Sequence, residues 1–340
     1  MAVIRDVAKL SGLSVSVVSK YLNHPETVRE DTKRRVEAAI KALNYVPSPT
    51  ARSMRTKRSQ MIAIVVPDIR DEFYADVFNS TKLYALARGY TPILYTVEND
   101  MGVLQDYLGK MSINHFDGMI PCFLNEDAIL AQYAELQTRL PIVMMGGKMD
   151  SDVYSGVAID ISKGSYTATH HLIERGYQRI AFIGGPESKK ATNAKYDGYR
   201  RALIEAGMKP NSRYLCYGEY RYQTGAEAAK KYLKLEDRPD AVFASNDVIA
   251  AGFMKQMISS GVRIPDDFGV VGFDNVPLAA VYEPGISTIA IPVRDMCREA
   301  VNMLIDKIEN PGSEESRMIV FDTKLLVRGS TIRESQIDKP

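Results

Sequence analysis

The chain has 340 residues, enough for two or three domains with sizeable cores, and its 45% hydrophobic and 25% charged residues are ordinary for a globular protein. It has no apolar run approaching the length of a membrane span, and its N-terminus goes directly into a charged amphipathic stretch. We therefore expect neither a signal peptide nor a membrane anchor, and a cytoplasmic location. The three cysteines and four histidines lack metal-ligand spacing, so we expect no metal site and no cofactor.

The net charge of +1 hides an uneven distribution of charge along the chain. Residues 1–60 carry 12 Lys or Arg against 5 Asp or Glu, a net charge of +7, which leaves −6 for residues 61–340. A basic end on a mildly acidic body is typical of a nucleic-acid-binding module joined to another domain. The alternative interpretation of these charges is a solvated basic helical bundle.

Two short amphipathic stretches joined at Gly12 lie at the start of the chain. The apolar residues that share a helical face are Ile4, Val7, Ala8 and Leu10 in the first stretch and Val15, Val18 and Leu22 in the second. Ser14 stands where it would cap the second helix. Two short helices joined by a glycine-centred turn form a helix-turn-helix, whose second helix enters the major groove of DNA. Val36, Ala39, Ile40 and Leu43 then form the apolar stripe of a third helix that would close the core.

Small or exposed side chains at the start of the second helix predict its DNA-reading face. The residues that we expect to contact DNA are Ser14, Val15, Ser16, Val17, Ser19, Lys20 and Asn23. Lys20 can donate hydrogen bonds to O6 and N7 of guanine. Val15 and Val17 have the chemistry to meet thymine methyl groups. Packing in the core is the alternative for Val17 and Val18, and we favour it for Val18.

After residue 60 the sequence alternates between short apolar runs and helical patterns. The runs cover residues 62–66, 93–95, 118–120 and 142–145, and then 180–183, 214–217, 241–244 and 270–273. This rhythm predicts doubly wound parallel sheets of the α/β class, and two series of similar length predict two similar subdomains. A ligand crevice is then expected outside the carboxyl ends of the strands.

The loops that follow these strands carry the candidate ligand-binding residues. Phe73 and Tyr74 offer an apolar platform to a ring, and Tyr220 could close over it. Asn246 and Asp274 offer amide and carboxylate groups to ligand hydroxyls, although Asn246 has the alternative role of a helix cap. Lys189 and Lys195 would suit a phosphorylated or carboxylated ligand. Their alternative is a solvated loop.

Several of these segments together resemble the LacI/GalR family of bacterial transcription regulators. They are Asp6-Val7-Ala8, residues 15–23, 39–45 and 47–54, Pro67-Asp68, Gly118, Asn246-Asp247 and residues 272–275. The resemblance implies two subdomains of the periplasmic-binding-protein type. It also shows departures: Val3 and Arg29 stand where the family commonly has Thr and Ser caps, each worth about 1 kcal/mol.

The resemblance further implies a hinge that folds when two subunits meet on DNA and then enters the minor groove. The hinge residues that would contact DNA are Ser48, Thr50, Ala51, Met54 and Arg55, with Met54 as the wedge between base steps. The implied domains are a head of residues 1–46 and a hinge of residues 47–60. An N-terminal subdomain would comprise 61–161 with 291–321, and a C-terminal subdomain 162–290 with 322–335.

The sequence therefore predicts a DNA-binding transcriptional regulator that is controlled by a small-molecule effector, such as a sugar or sugar derivative. Of the two kinds of regulator, we favour a repressor. A homodimer on a pseudo-palindromic operator is expected, because one helix-turn-helix reads only a half-site. Two alternatives come from other classes: a solute-binding receptor without a DNA role, and an α/β enzyme. Nucleotide-binding and hydrolase motifs are absent from the sequence, so we expect no enzyme.

Overall fold

The computed structural model describes residues 2–46, 58–97, 100–113, 116–125, 129, 131, 140–147, 154–312 and 316–333, with the backbone alone for 23, 101 and 111–113. The five predicted hinge residues, Ser48, Thr50, Ala51, Met54 and Arg55, lie outside the described residues, and so does the side chain of Asn23. The chain forms two compact units, a helical head near the N-terminus and a larger α/β body.

The head consists of helices α1 (Ile4–Ser11), α2 (Val15–Asn23) and α3 (Glu30–Leu43), with a short 3₁₀ helix at Pro25–Thr27. Gly12 ends α1 in the left-handed conformation, at a φ of 64°, and its N–H donates to the carbonyl oxygens of Ala8 and Lys9. The guanidinium of Arg35 on α3 donates to the Ser11 carbonyl at 2.7 Å. This contact ties the turn between the first two helices to the third.

The predicted three-helix core is present. Its buried residues are Val7, Ala8, Val18, Val36 and Ala39, with Ile4, Leu22, Ile40 and Leu43 packed against them. Two of the residues assigned to apolar faces are not part of it, because Leu10 is 56% exposed and Val15 is 41% exposed. Both lie on the outer side of their helices. The assignment of Leu10 to the core-facing side of α1 was therefore wrong, whereas the exposure of Val15 is compatible with its predicted contact with DNA.

Helix capping in the head follows the sequence closely. The Ser14 hydroxyl accepts a hydrogen bond from the Val17 N–H at 3.3 Å and so caps α2. Val3 and Arg29, as expected from their side chains, make no side-chain capping bond. Asp6 partly compensates at α1, because its carboxylate accepts from the Val3 N–H at 2.9 Å. Among the described residues of the head, only α2 therefore begins with a side-chain cap of its own.

One side of the body is built on parallel strands that come mostly from the first half of the chain. They are β1 (Met61–Val66), β2 (Thr91–Thr96), β3 (Gly118–Pro121), β4 (Met144–Gly147), β5 (Gly156–Ile159) and β11 (Met318–Phe321). They pair in the orders β2-β1-β3 and β4-β5-β11, and bridges from Met119 to Ile142 and from Cys122 to Met145 place β4 beside β3. Helices α4 (Glu72–Ala87), α5 (Met101–Ile113) and α11 (Val293–Glu309) belong to this subdomain.

The other side of the body is one six-stranded sheet. Its strands are β6 (Ile180–Gly184), β7 (Leu215–Tyr217), β8 (Ala241–Ala244), β9 (Gly269–Asp274), β10 (Ser287–Ala290) and β12 (Lys324–Leu326), in the order β12-β10-β9-β8-β6-β7. Every neighbouring pair is parallel except β12, which runs antiparallel to β10. The helices are α6 (Ile161–Glu174), α7 (Lys190–Glu205), α8 (Tyr222–Leu233), α9 (Asp247–Ser259) and α10 (Pro277–Val281), with short 3₁₀ helices at Ser212–Tyr214 and Gly329–Thr331.

The predicted α/β class and its parallel sheets are confirmed, and each of the eight predicted runs contributes to a sheet. The run at residues 142–145 is shifted, since the strand spans Met144–Gly147 and Ile142 makes only an isolated bridge. Strands β5, β10, β11 and β12 were not predicted. Within the described part of the chain, no helix is long and apolar enough to cross a membrane.

Candidate functional site

A cavity of about 590 Å³ lies between the two subdomains, at the carboxyl ends of strands from both sheets. The seven residues predicted to contact ligand all line it: Phe73, Tyr74, Lys189, Lys195, Tyr220, Asn246 and Asp274. They lie in the loops or early helical turns that follow β1, β6, β7 and β8, and at the end of β9. The topology of two open parallel sheets is what brings residues from such distant parts of the sequence together.

The wall from the first subdomain is aromatic. Asp71 caps α4 by accepting a hydrogen bond from the Phe73 N–H at 3.0 Å, which sets the direction of the first turn. Phe73 packs edge-on against Phe123, with ring centroids 5.0 Å apart, and against Tyr74 at 5.2 Å. Three mutually packed rings make a rigid apolar surface of the kind that receives the face of a sugar or a base.

Tyr220 faces this wall from the second subdomain. Its hydroxyl shares a hydrogen bond with the Thr192 hydroxyl at 2.9 Å. The ring lies so close to Gly185 that a Cβ at position 185 would stand 2.2 Å from the Cζ of the tyrosine. Glycine is therefore required at this position for the ring to sit where it does.

Lys195 lies inside helix α7, and only 6% of the residue is exposed. Its ammonium group donates to the Ser245 carbonyl oxygen at 2.5 Å and lies 5.5 Å from the centre of the Tyr220 ring. The alternative of a solvated loop is wrong for this residue. The reason is that the helix begins at Lys190, within the stretch that was assigned to the loop.

The carboxylates of the cleft are strongly affected by burial. Burial raises the pKa of Asp274 to about 7, against the opposing charge of Lys195 and together with repulsion from Asp71. The pKa of Asp71 is also raised, mainly by burial, and Lys195 again opposes the shift. The charge of Lys195 thus acts on two carboxyl groups, one from each subdomain, and favours the ionised form of both.

Lys189 stands at the N-cap position of α7, where no side-chain capping bond is made. Burial lowers the pKa of its ammonium group, and the carboxylate of Glu219 acts in the opposite direction. Both residues line the cavity. Here too a cation in the cleft faces an acidic neighbour.

Asn246 serves as a helix cap and as part of the cavity wall. Its side-chain oxygen accepts a hydrogen bond from the Ile249 N–H at 2.9 Å, which caps α9. The predicted alternative role of a cap is therefore present. Asn246 is also one of the residues that line the cavity.

Sequence reasoning did not select several other residues that line the cavity, among them Asp68, Asp71, Phe123, Glu219 and Arg221. Asp68 accepts hydrogen bonds from Arg70 at 2.8 Å and from Arg221, across the cleft, at 3.4 Å. Asp71 lies in the short connection between the first strand and α4, so its position was an available signal. Phe123 follows a short strand and carried no signal of its own.

The predicted reading face of the head is largely open to solvent. Ser14, Val15, Ser16 and Lys20 are exposed, and Val17 and Ser19 are half-buried. Val18 is fully buried in the three-helix core, as expected. A short helix with exposed serines and a lysine along its first turns is suited to the major groove.

Comparison with known proteins agrees with this architecture at both ends of the chain. Residues 3–48 match the family described as "Bacterial regulatory proteins, lacI family", and residues 169–331 match a "Periplasmic binding protein-like domain". The HTH-type transcriptional repressor PurR of Photobacterium profundum is 31% identical over 330 residues, which cover 97% of this chain and 98% of the relative. The chain belongs to the LacI family.

Other LacI-family proteins match over nearly the whole chain. The repressor PurR of Aliivibrio fischeri (strain ATCC 700601 / ES114) is 32% identical, covering 97% of this chain and 98% of the relative. The structure titled "transcriptional regulator CelR-cellobiose complex" is 31% identical with a TM-score of 0.72, covering 97% of this chain and 100% of that one. A lac repressor dimer bound to operator and the anti-inducer ONPF has a TM-score of 0.87 at 22% identity, covers 98% and 99%, and shows the shared fold.

Membership of the LacI family makes this chain a helix-turn-helix, DNA-binding transcriptional regulator. The relatives named above are repressors, and LacI-family repressors are not enzymes. The family therefore favours the regulator over both alternatives, the transport receptor and the α/β enzyme.

Proposed function

We propose that the protein is an effector-controlled repressor in the cytoplasm, which reads a pseudo-palindromic operator as a homodimer. Helix α2 would enter the major groove, with Ser14, Val15, Ser16, Val17, Ser19, Lys20 and Asn23 at the DNA. Hinge residues Ser48, Thr50, Ala51, Met54 and Arg55 would enter the minor groove. The proposed domains are residues 1–46, 47–60, 61–161 with 291–321, and 162–290 with 322–335.

The observation that carries effector control is the cavity between the two subdomains. Ligand bound to both walls would favour one relative orientation of the subdomains, and that shift in population would change how the two hinges meet. An inducer and a corepressor would use the same parts with opposite preference. A gel-shift titration of operator DNA with and without the ligand distinguishes the two.

The cleft favours an uncharged, polyhydroxylated ring over an anion. Its cationic side chains, Arg70, Lys189, Lys195 and Arg221, face the carboxylates of Asp68, Asp71, Glu219 and Asp274. Basic and acidic side chains are equal in number among the described residues of the wall, so the wall has no excess of basic side chains to favour a phosphate. Aromatic walls with carboxylate and amide groups between them match the faces and hydroxyls of a sugar or sugar derivative. The similar structure titled "transcriptional regulator CelR-cellobiose complex" supports this class of ligand.

A thermal-shift screen of the purified protein tests this proposal. Neutral sugars should raise the unfolding midpoint, since a ligand at about 100 times its dissociation constant stabilises by about 2.7 kcal/mol. The matched variant Asp274→Ala should lose the shift while its affinity for operator DNA is unchanged. Hits confined to phosphosugars and sugar acids would overturn the neutral-ring assignment, and a hit retained by Asp274→Ala would place the ligand elsewhere.

Two exposed leucines one turn apart on α4, Leu83 at 63% and Leu86 at 55%, support a dimer contact in the body. Apolar side chains this exposed are candidates for burial in an interface. Analytical ultracentrifugation of the double variant Leu83→Glu/Leu86→Glu should show a monomer. The control Ile204→Glu changes an equally exposed apolar residue on α7 and should remain dimeric.

A further inference from the structure

The turn that presents Asp274 to the cleft has an unfavourable backbone conformation. Asp274 has a φ of 102° and Asn275 a φ of 59°, so two successive residues with side chains lie in a region that favours glycine. Residues with side chains keep such a conformation only where the surrounding structure holds them in place. Something outside the turn must therefore stabilise it.

The carboxylate of Asp247 makes the contacts that hold this turn. Asp247 is the first residue of α9 and is fully buried. One oxygen accepts a hydrogen bond from the Val276 N–H at 2.9 Å. The other oxygen accepts from the Thr288 hydroxyl on β10 at 2.6 Å. The backbone N–H two residues after Asp274 is thus bound by this one side chain, which also bonds to the neighbouring strand β10.

Neighbouring residues are arranged around this carboxylate. A Cβ at Gly272 would stand 2.2 Å from the Oδ1 of Asp247, so glycine on β9 makes the space that the carboxylate occupies. On the other side of the turn, the Arg328 guanidinium donates to the side-chain oxygen of Asn275 and to the Ile286 carbonyl, each at 2.7 Å. The turn is therefore held from two sides. Arg328 binds the side chain of Asn275, whereas Asp247 binds the backbone N–H of Val276.

We propose that Asp247, which does not itself line the cavity, is a positioning residue that holds Asp274 in the orientation required for effector binding. This inference rests on the proposed function, in which Asp274 contacts the effector. The inference adds that effector binding depends on the buried carboxyl group of Asp247, at the start of α9. Its neighbour Asn246 reaches the cleft directly, so the start of α9 serves the site in two ways.

The test measures the pKa of Asp274 in the absence of any effector. The ionisation of Asp274 reports its position, because the carboxyl has a pKa of about 7 only while it is held in the desolvated cleft beside Lys195 and Asp71. Full-length protein labelled with ¹³C at aspartate carboxyls is titrated by NMR, and the Asp274 signal is assigned by its loss in Asp274→Asn. Asp247→Ala should lower the pKa of Asp274 by about two units or more, towards the value of about 4 for an exposed aspartate.

Three further variants keep the test decisive. Asp247→Asn retains a side-chain oxygen in place and should leave Asp274 near its wild-type pKa. Asp247→Ser, whose short side chain does not reach the Val276 N–H, should behave as Asp247→Ala does and serves if the alanine variant fails to fold. Met257→Ala removes a buried side chain from the same helix and should lower stability without moving the Asp274 titration.

An unchanged pKa of Asp274 in both Asp247→Ala and Asp247→Ser would overturn the proposal, since Asp247 would then serve stability alone. A failure of the effector screen described above would instead contradict the proposed function. The two failures are distinguishable, because the NMR titration contains no ligand and no DNA.

Discussion

The ammonium group of Lys195 lies 4.3 Å from the centre of the Phe273 ring while it donates to the carbonyl oxygen of Ser245. A cation bound by a backbone carbonyl and an aromatic face, with Asp71 and Asp274 nearby, is part of the folded structure of the cleft. Lys195 therefore stabilises the ionised forms of the carboxylates around it.

Replacing Lys195 should make Asp274 harder to ionise. The positive charge of Lys195 lowers the pKa of Asp274, so its loss in Lys195→Met leaves burial and Asp71 to act alone. We expect the pKa of Asp274 to rise above about 7, measured by the ¹³C titration. The control Lys190→Met changes an exposed residue at the start of the same helix. A lower pKa in Lys195→Met would contradict the electrostatic role assigned to this lysine.

Lys20→Ala should reduce sequence discrimination at the operator. A good contact between a side chain and a base edge contributes about 1–3 kcal/mol of discrimination, whereas contacts to phosphate act alike on every sequence. Binding to operator and to scrambled DNA is compared by fluorescence anisotropy over a range of salt. The variant should keep salt-sensitive binding to both. Lys41→Ala, an exposed change near the end of α3, should preserve the wild-type ratio.

The buried carboxylates predict a loss of stability at alkaline pH. Burial raises the pKa of Asp247 to about 8 and that of Asp274 to about 7, whereas in the unfolded chain aspartate ionises near ~4. Between these values the folded state binds protons that the unfolded state does not, so the unfolding free energy falls as pH rises from about 4 to about 8. Above the pKa of Asp247 this dependence ends.

Urea unfolding of Asp247→Asn and wild type between pH 6.5 and 8 checks this sign. The variant should show a shallower decline, because one of the two ionising groups is gone. Asp237→Asn, which changes an exposed carboxylate on the same subdomain, should follow the wild-type profile. A wild-type stability that increases across this range would be incompatible with the assignment.

At acidic pH, His171 should have the opposite effect on stability: it should make the unfolding free energy increase as pH rises. Burial and the nearby Arg175 lower its pKa to about 4, and its Nε2 lies 2.9 Å from the Thr331 hydroxyl. The unfolded histidine binds a proton below about 6.5, so this residue makes the unfolding free energy rise with pH between about 4 and 6.5. In His171→Gln that contribution should vanish, seen as a difference from wild type in urea titrations. His170→Gln, on the exposed side of α6, supplies the control.

The helical head could be predicted well from the sequence, because the signals that define it are local. The capping role of Ser14, the buried Val18 and the left-handed Gly12 each follow from a few adjacent residues. Leu10 was misplaced because hydrophobicity does not tell which side of a short helix is covered by its neighbours. Only the packing of α3 decides that.

In the body, the missed strands show where local patterns fail. Strand β10 includes the polar residues Ser287 and Thr288, which can be buried because they form hydrogen bonds with Ser330 and Asp247. These partners are distant in the sequence, so the local pattern does not predict the strand. The position of Lys195 within α7 was hidden by the polar residues around it. All seven predicted ligand residues line the cavity because their selection rested on strand ends, which the apolar runs locate. Their contact with effector stays a prediction.

Both sheets of the body are completed by strands from late in the sequence. Strands β11 at Met318–Phe321 and β12 at Lys324–Leu326 close them, whereas the three helices of the head are made from residues 4–43. A ribosome therefore releases the DNA-reading helices long before either sheet can be finished. A truncated product ending before residue 318 would keep the DNA-reading helices and lack the last strand of both sheets. Degradation of such incomplete chains would therefore remove copies of the reading head that have no complete effector-binding body.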